Sequence, residues 1–413
     1  MQLPPLTTLA LAAGVLALPL RSEAPDLAHA FPISGTESRW KPYATIQVFG
    51  QYYFDQYLYD NGTLVGIDTD ARNANATPDR QFSMTARTSS FGFYTCTPTA
   101  RMGDLVTNLE LGFDSGNPGP RGNPKLNQAW LSIGNWLLGY TWSNWLDRDA
   151  LPETVDASGP IGQTCNDTGR YTQVRYTFSL SPRDRLIVSL EQNQRAFKGW
   201  GGADNPNLPG QNTIQPDARY PSWVAAYVHQ EDWGQVSLRA LGQQYGAYQP
   251  AAGSAGPVRP SRWARAVQLS GNLMVGARDN LVYSVYTGQA LGVYGFSPQA
   301  AVFDMVNDKV QFYVSTGWQA GYTHHWNGRV RSNLIATGVY FRNDPPVAPQ
   351  DIRRSENYFA NTIVKVAKQL EVGMEYGYEG IKTFGPAAVT ERGGGTGDNN
   401  KSRKLQVAVT AKF

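Results

Sequence analysis

The sequence predicts an all-β fold, a transmembrane antiparallel β-barrel of about 16 strands with an inward-folded constriction loop. Three observations predict it. The C-terminal residues alternate apolar and polar side chains and end on Phe413, a pattern typical of a strand with one lipid-facing side. Candidate strands recur along the whole chain. The connections between them are alternately long and short, as in outer-membrane barrels.

Composition excludes several other classes of protein. The 413 residues are 41% hydrophobic and 12% aromatic with 42 glycines, a mixture that favours many short strands and polar turns. Beyond the N-terminus, no stretch approaches the ~18 consecutive apolar residues of a transmembrane helix. The 36 Lys and Arg nearly balance the 33 Asp and Glu, so nothing indicates a nucleic-acid partner.

Residues 1–30 are predicted to be a signal peptide. An apolar run from Leu6 to Leu20 precedes small residues around Ala30, where a signal peptidase would cut. No Lys or Arg precedes the run, which departs from the usual pattern. Residues 31–413 are then predicted to form one outer-membrane β-barrel domain.

Period-two alternation marks sixteen candidate strands, an even number that places both termini in the periplasm. They are residues 44–59, 82–95, 104–114, 126–134, 136–144, 170–180, 185–194, 222–231, 235–246, 263–275, 280–288, 310–325, 329–342, 356–368, 370–380 and 403–413. The short returns are rich in turn residues, and only the first, 96–103, is longer. The last strand is expected to pair with the first and, through Phe413, to be bound by the barrel-assembly machinery.

The third long connection, residues 145–169, differs from the others. It holds one arginine, Arg148, and five carboxylates: Asp147, Asp149, Glu153, Asp156 and Asp167. Folded into the lumen opposite Arg87 and Arg175, it would create a transverse field in a narrow passage. The alternative is a solvated lid, with the arginines paired to wall carboxylates such as Glu110 or Glu191. Other polar-face charges are mixed: Arg239, Arg331 and Lys365 are offset by Glu110, Glu371 and Glu375.

Four segments are distinctive: GYTWSNWLD at 139–147, PETVD at 152–156, QVRYT at 173–177 and ARTSSFGF at 86–93. On these segments the sequence resembles the DcaP-like porin family over nearly the whole mature chain. The resemblance implies a homotrimeric sixteen-stranded barrel through which small organic acids diffuse, with arginines at its narrowest part.

The resemblance also implies which basic residues line the pore. Arg87, Arg170 and Arg175 match basic positions of the family, and Lys125 stands where the family usually has arginine. Ser90 and Asn127 stand where relatives often have arginine, so the basic ring is thinner and the preference for anions or cations stays open. The full predicted constriction set is Arg87, Lys125, Asp147, Arg148, Asp149, Glu153, Asp156, Arg170 and Arg175.

The two cysteines, Cys96 and Cys165, would reach an oxidising compartment after export, where they can form a disulfide. Cys96 has the opposite strand parity to Arg87. Without a bulge between them, its side chain would therefore point away from the lumen.

Catalytic and metal-binding signals are weak, and no cofactor is expected. After the signal peptide only His229, His324 and His325 remain, the last two beside a short return where they suit the polar interface. The leading hypothesis is a passive channel for small hydrophilic solutes, aromatic or aliphatic carboxylates among them. The alternatives are a general porin for neutral solutes, an outer-membrane hydrolase with a plugged barrel, and a surface binding protein.

Overall fold

The structure is a computed structural model that describes most of the chain. The described residues are Leu27, Pro257 and the ranges 30–55, 80–113, 124–155, 169–192, 215–248, 259–291, 301–304, 309–342, 352–384 and 399–413. The predicted signal peptide lies almost wholly outside them. Among the residues described, no helix has the length and apolarity to cross a membrane.

Sixteen strands form one antiparallel barrel in chain order, which confirms the predicted fold class and strand number. They are β1 (Arg39–Tyr53), β2 (Gln81–Thr85 and Ser90–Thr99), β3 (Gly103–Gly112), β4 (Lys125–Ile133), β5 (Trp136–Trp142), β6 (Arg170–Ser179), β7 (Asp184–Glu191), β8 (Ser222–Glu231), β9 (Gly234–Tyr248), β10 (Ser261–Val275), β11 (Asp279–Gln289), β12 (Val314–His325), β13 (Val330–Arg342), β14 (Ile352–Ala367), β15 (Leu370–Thr383) and β16 (Asn399–Lys412). Short strands at Phe31–Pro32, Gln215–Pro216, Ala301–Asp304 and Lys309–Phe312 are additional.

The barrel closes as expected, by pairing of β16 with β1. Lys412 lies opposite Thr45, and the pairing continues to Lys404 opposite Tyr53. Phe413 extends the closure, because its N–H donates to the Ala44 carbonyl at 3.0 Å. Closure leaves no sheet edge to meet lipid, which is a condition for a strand protein in a membrane.

The two faces of the wall have the polarity of a barrel in lipid. Apolar side chains such as Val267, Val285 and Leu334 are exposed on the outside, while Gln268, Ser284 and Asn333 are buried inside. Neighbouring residues therefore alternate between an apolar exterior and a polar interior, the reverse of a soluble core.

Seven short returns of two to four residues join the strands at one end of the barrel, the end that is periplasmic in this class of protein. Gly134 and Gly276 occupy two of them at φ of 55° and 63°, a conformation that favours glycine. The predicted long first return was wrong: β2 continues to Thr99, and residues 100–102 make an ordinary tight turn.

A one-residue bulge interrupts β2 between Thr85 and Ser90. Thr85 pairs with Phe49 of β1, and Ser90 pairs with Thr45. The two positions are five residues apart on β2 but four residues apart on β1, so β2 contains one extra residue. Ser89 closes the intervening turn by donating from its N–H and its hydroxyl to the Ala86 carbonyl, at 3.1 and 2.7 Å. Because one extra residue exchanges the two faces of a strand, Cys96 shares the inward face with Tyr94.

Candidate functional site

After β5 the chain enters the barrel and lies along its inner wall. This interior segment, residues 143–155, begins where the Asn144 amide donates to the Ile187 carbonyl of β7 at 3.0 Å. It ends where Val155 packs against Phe49, Ile363 and Ala408, on β1, β14 and β16. The segment therefore follows the wall from β7 round to β1.

Glycines make room for the interior segment on the wall. A Cβ added to Gly321 of β12 would lie 2.5 Å from the Pro152 Cβ, and one added to Gly373 of β15 would lie 2.6 Å from Val155. Such distances are shorter than any real packing contact. The two glycines thus let the backbone of the segment approach the sheet.

Two buried glutamates hold the two ends of the interior segment. Glu191 of β7 accepts hydrogen bonds from the Ser143 hydroxyl at 2.7 Å and the Asn144 N–H at 2.8 Å. Glu375 of β15 accepts the Val155 N–H at 2.9 Å, together with the Asn361 and Gln406 amides at 2.8 and 2.9 Å. Bonds to a carboxylate are about twice as strong as neutral ones, so both ends are firmly anchored.

The acidic side chains of the segment point to the wall behind them. Asp147 accepts from Gln235 at 2.9 Å and Ser270 at 2.6 Å and lies 3.3 Å from the Arg239 guanidinium. Glu153 receives two hydrogen bonds from Arg331, at 2.7 and 2.6 Å. This differs from the expected row of carboxylates facing arginines across the lumen, because wall arginines on β9 and β13 neutralise these two.

A cavity of about 40 Å³ lies beside the start of the segment. Its charged lining residues are four arginines and two aspartates: Arg148, Arg175, Arg185, Arg239, Asp147 and Asp149. The set carries a formal charge of +2 when all six are ionised. Burial raises the pKa of the Asp149 carboxyl, and the neighbouring Asp147 adds to the effect.

Trp142 lines this cavity and carries two arginines on its ring. The Arg170 guanidinium lies 3.7 Å from its ring centroid and that of Arg148 lies at 5.7 Å. Arg175 is buried and donates to the Trp142 carbonyl at 2.5 Å and to Gln173 at 3.0 Å. Arg175 therefore supports the backbone below Trp142, while Arg148 is exposed.

Aromatic rings and a carboxylate form part of the inward face of β1 to β4. Tyr94 stacks on Tyr43 at 4.9 Å and lies 6.2 Å from Trp130. Glu110 accepts from Tyr43 at 2.9 Å and from Asn127 at 3.0 Å. Asn127, one of the two positions where the resemblance leads us to expect an arginine, is thus an amide bound to a glutamate.

The remaining predicted site residues lie elsewhere. Arg87 is in the β2 bulge, where its Nε donates to the Thr85 hydroxyl at 3.3 Å, and Lys125 begins β4. Neither lines the cavity. Asp156 and Cys165 lie outside the described residues, and within the described ranges Cys96 has no disulfide partner. Sequence reasoning missed Arg185, although its alternation with Leu186 and Val188 places it on the polar face.

No group of three or more His, Cys, Asp or Glu suited to a metal occurs within the described ranges.

Comparison with known proteins agrees with this architecture. A family model described as DcaP outer membrane protein matches residues 21–388. The crystal structure of the outer membrane channel DcaP of Acinetobacter baumannii is similar with a TM-score of 0.74 at 19% identity, over 93% of this chain and 99% of that chain. No curated protein sequence matches.

Two further structures are more distant. OmpT of Vibrio cholerae has a TM-score of 0.55 at 9% identity, over 93% of this chain and 100% of that one, and is also known in a trimer form. An anion-selective porin from Comamonas acidovorans has a TM-score of 0.56 at 11% identity, over 91% and 100%. At such identities these likenesses establish the fold.

Proposed function

The chain belongs to the DcaP outer membrane protein family, and we propose that it is a porin through which small hydrophilic solutes, chiefly organic acids, diffuse passively. The observation that carries the proposal is the pair of arginines on Trp142. Arg148 is exposed and Arg170 is half-buried, and a guanidinium matches a carboxylate with two parallel N–H donors.

The charge balance supports a preference for anions. The carboxylates of Asp147 and Glu153 are paired with wall arginines, so the interior segment presents less negative charge than its composition indicates. The set around the cavity has an excess of positive charge, and its field extends into a lumen with low-dielectric walls.

The aromatic lining extends the proposal to aromatic acids. A planar solute whose carboxylate is bound by Arg148 would pass the rings of Tyr94 and Trp130, which lie 6.2 Å apart by their centroids. Offset and edge contacts between rings are favourable by roughly 0.5–1.5 kcal/mol beyond burial.

Liposome swelling tests the proposal directly. We expect the wild type to pass aromatic acids and dicarboxylates faster than neutral sugars of similar size, and the double variant Arg148→Ala, Arg170→Ala to lose that preference. Arg183→Ala is the control, because Arg183 lies in the short return between β6 and β7 and pairs with Glu231 at 2.7 Å. Equal rates for acids and sugars in the wild type would indicate a general porin instead.

Planar-bilayer recording separates a channel from the hydrolase alternative. A channel gives discrete conductance steps, whereas a plugged barrel with hydrolytic activity gives none and is inactivated by a serine reagent. Deletion of residues 195–214 or 385–398, which leaves β15, β16 and the strand Gln215–Pro216 intact, should keep conductance in place if the protein is a channel and not a surface binding protein.

The proposal extends to assembly, export and folding. We propose a homotrimer, since OmpT of Vibrio cholerae has a trimer form, cleavage after residue 30, and recognition of the last strand by the barrel-assembly machinery. We also propose that the interior segment, with the rest of residues 145–169, narrows the lumen. A bond between Cys96 and Cys165 stays a prediction, and the inward position of Cys96 is the one that such a bond needs.

A further inference from the structure

An apolar groove crosses the outer surface of β11 to β15. It has a volume of about 430 Å³, within the range of ligand-binding pockets. Its outward lining residues are Leu281, Ala320, Tyr322, Leu334, Ala336, Tyr358, Ala360 and Tyr376. We name this feature the tyrosine groove.

Strand register explains the groove. Ala320 lies opposite Ala336, and Leu334 lies opposite Ala360, so small side chains meet across three strands. Tyrosines stand at the borders, with Tyr358 and Tyr376 each more than 40% exposed. The alanines leave a channel that the larger neighbours do not fill.

A polar cluster lies at the short-return end of the groove. The Tyr322 hydroxyl donates to Asp279 at 2.6 Å, and the same carboxylate contacts His324 Nδ1 at 2.8 Å and accepts the His325 N–H at 2.9 Å. His324 lies two residues from Tyr322 on the same face, a rise of roughly 7 Å. The Trp326 ring meets His324 edge-on at 4.4 Å.

Two arginines border this cluster. Arg278 and Arg329 are exposed in the two returns next to it, and His324 and His325 add imidazole nitrogens. Among the described residues, His324 and His325 both pair with the Asp279 carboxylate. Because Asp279 binds Nδ1 of His324, the Nε2 atom of that ring is directed to other partners.

We propose that the tyrosine groove and the His324 cluster bind one glycerophospholipid of the periplasmic leaflet. One acyl chain occupies the groove, and the lipid phosphate is bound by His324, Arg278 and Arg329. An apolar groove that ends at a cationic, hydrogen-bonding rim matches a molecule with an apolar tail and an anionic head. A purely apolar ligand would not account for the rim, and a purely anionic ligand would not account for the groove.

A second cluster of the same design provides an internal comparison. On β8, Tyr227 and His229 repeat the spacing of Tyr322 and His324, and both contact Asp184, at 2.5 and 2.8 Å. Here, however, Glu231 lies 3.6 Å from His229 Nε2 and 2.7 Å from Arg183. A carboxylate therefore occupies the position that a phosphate would take, so this cluster should not bind one.

Native mass spectrometry of the purified full-length protein in mild detergent tests the proposal. We expect one phospholipid per barrel in the wild type. Ala336→Phe, which fills the groove, should lower lipid occupancy at least tenfold, and the double variant His324→Ala, Arg329→Ala should lower it several-fold. Ala225→Phe, at another outward alanine, and His229→Ala are matched controls that should keep the lipid.

Adding lipid back distinguishes specific binding from a folding defect. Only variants with the same single-channel conductance as the wild type are compared, because equal conductance shows that the barrel has folded. A diacyl phosphatidylethanolamine should displace the retained lipid, whereas a diacylglycerol, which lacks phosphate, should not. Equal losses in Ala336→Phe and Ala225→Phe would mean bulk lipid and overturn the proposal. A change of oligomer mass in Ala336→Phe at unchanged lipid occupancy would make the groove an interface between copies and overturn it as well.

Discussion

Arg239→Ala and Asp147→Ala should shift the ion selectivity of the channel in opposite directions. Both side chains are almost fully buried, their charged groups lie 3.3 Å apart, and Arg239 also donates to the Asn144 carbonyl at 2.5 Å. The surrounding set has a formal charge of +2. Removing the arginine leaves +1, and removing the aspartate leaves +3.

The size of the shift follows from Coulomb's law. At about 10 Å from the altered charge and at the dielectric constant of water, a monovalent ion changes in energy by about 0.4 kcal/mol. Anions and cations change with opposite sign, so the difference between them is about 0.8 kcal/mol, or about fourfold in permeability ratio. The shift should shrink at high salt, where the Debye length falls.

The zero-current potential across a planar bilayer in a low-salt KCl gradient measures this ratio. We expect Arg239→Ala to become about fourfold less anion-selective and Asp147→Ala about fourfold more, while the double variant returns close to the wild type. Breaking a buried ion pair costs about 3–5 kcal/mol, so the heat resistance of each barrel is measured in parallel. If both single variants shifted in the same direction, displacement of the interior segment would dominate and the charge argument would be refuted.

Three further predictions concern the same segment. As pH falls through the raised pKa of Asp149, the carboxyl becomes neutral, so the preference for anions should rise. The barrel should also gain stability, because burial penalises the charged form. A pH series of zero-current potentials should show this step in the wild type and lack it in Asp149→Asn. Glu375→Ala leaves the Val155 N–H and the Asn361 amide without their acceptor, and each unsatisfied buried group costs about 1–3 kcal/mol of stability. The end of the interior segment should then move more, so single-channel current noise should rise more in Glu375→Ala than in Glu375→Gln. Gly321→Ala should change conductance because its Cβ would lie 2.5 Å from Pro152, whereas Gly50→Ala, with its nearest atom at 3.8 Å, should not; equal behaviour of the two glycine variants would contradict the packing argument.

The strand order and closure were predictable because the relevant signal is local. A period of two over eight or more residues marks a strand, and a short turn fixes its neighbour. The bulge at residues 86–89 was not predictable from alternation, because it consists of one added residue that no pattern marks. That single residue decides whether Cys96 faces lipid or the lumen.

The charges of the lumen were harder to predict than its strands, because their effect depends on pairs between residues far apart in the sequence. Glu153 binds Arg331, and the Val155 N–H binds Glu375. The composition of residues 145–169 indicates an acidic constriction, yet pairing with the wall neutralises Asp147 and Glu153 and leaves Arg148 exposed. We therefore expect solute preference in this barrel to depend on which charges the wall has already paired. Arg239→Ala and Asp147→Ala test that dependence with one charge changed at a time.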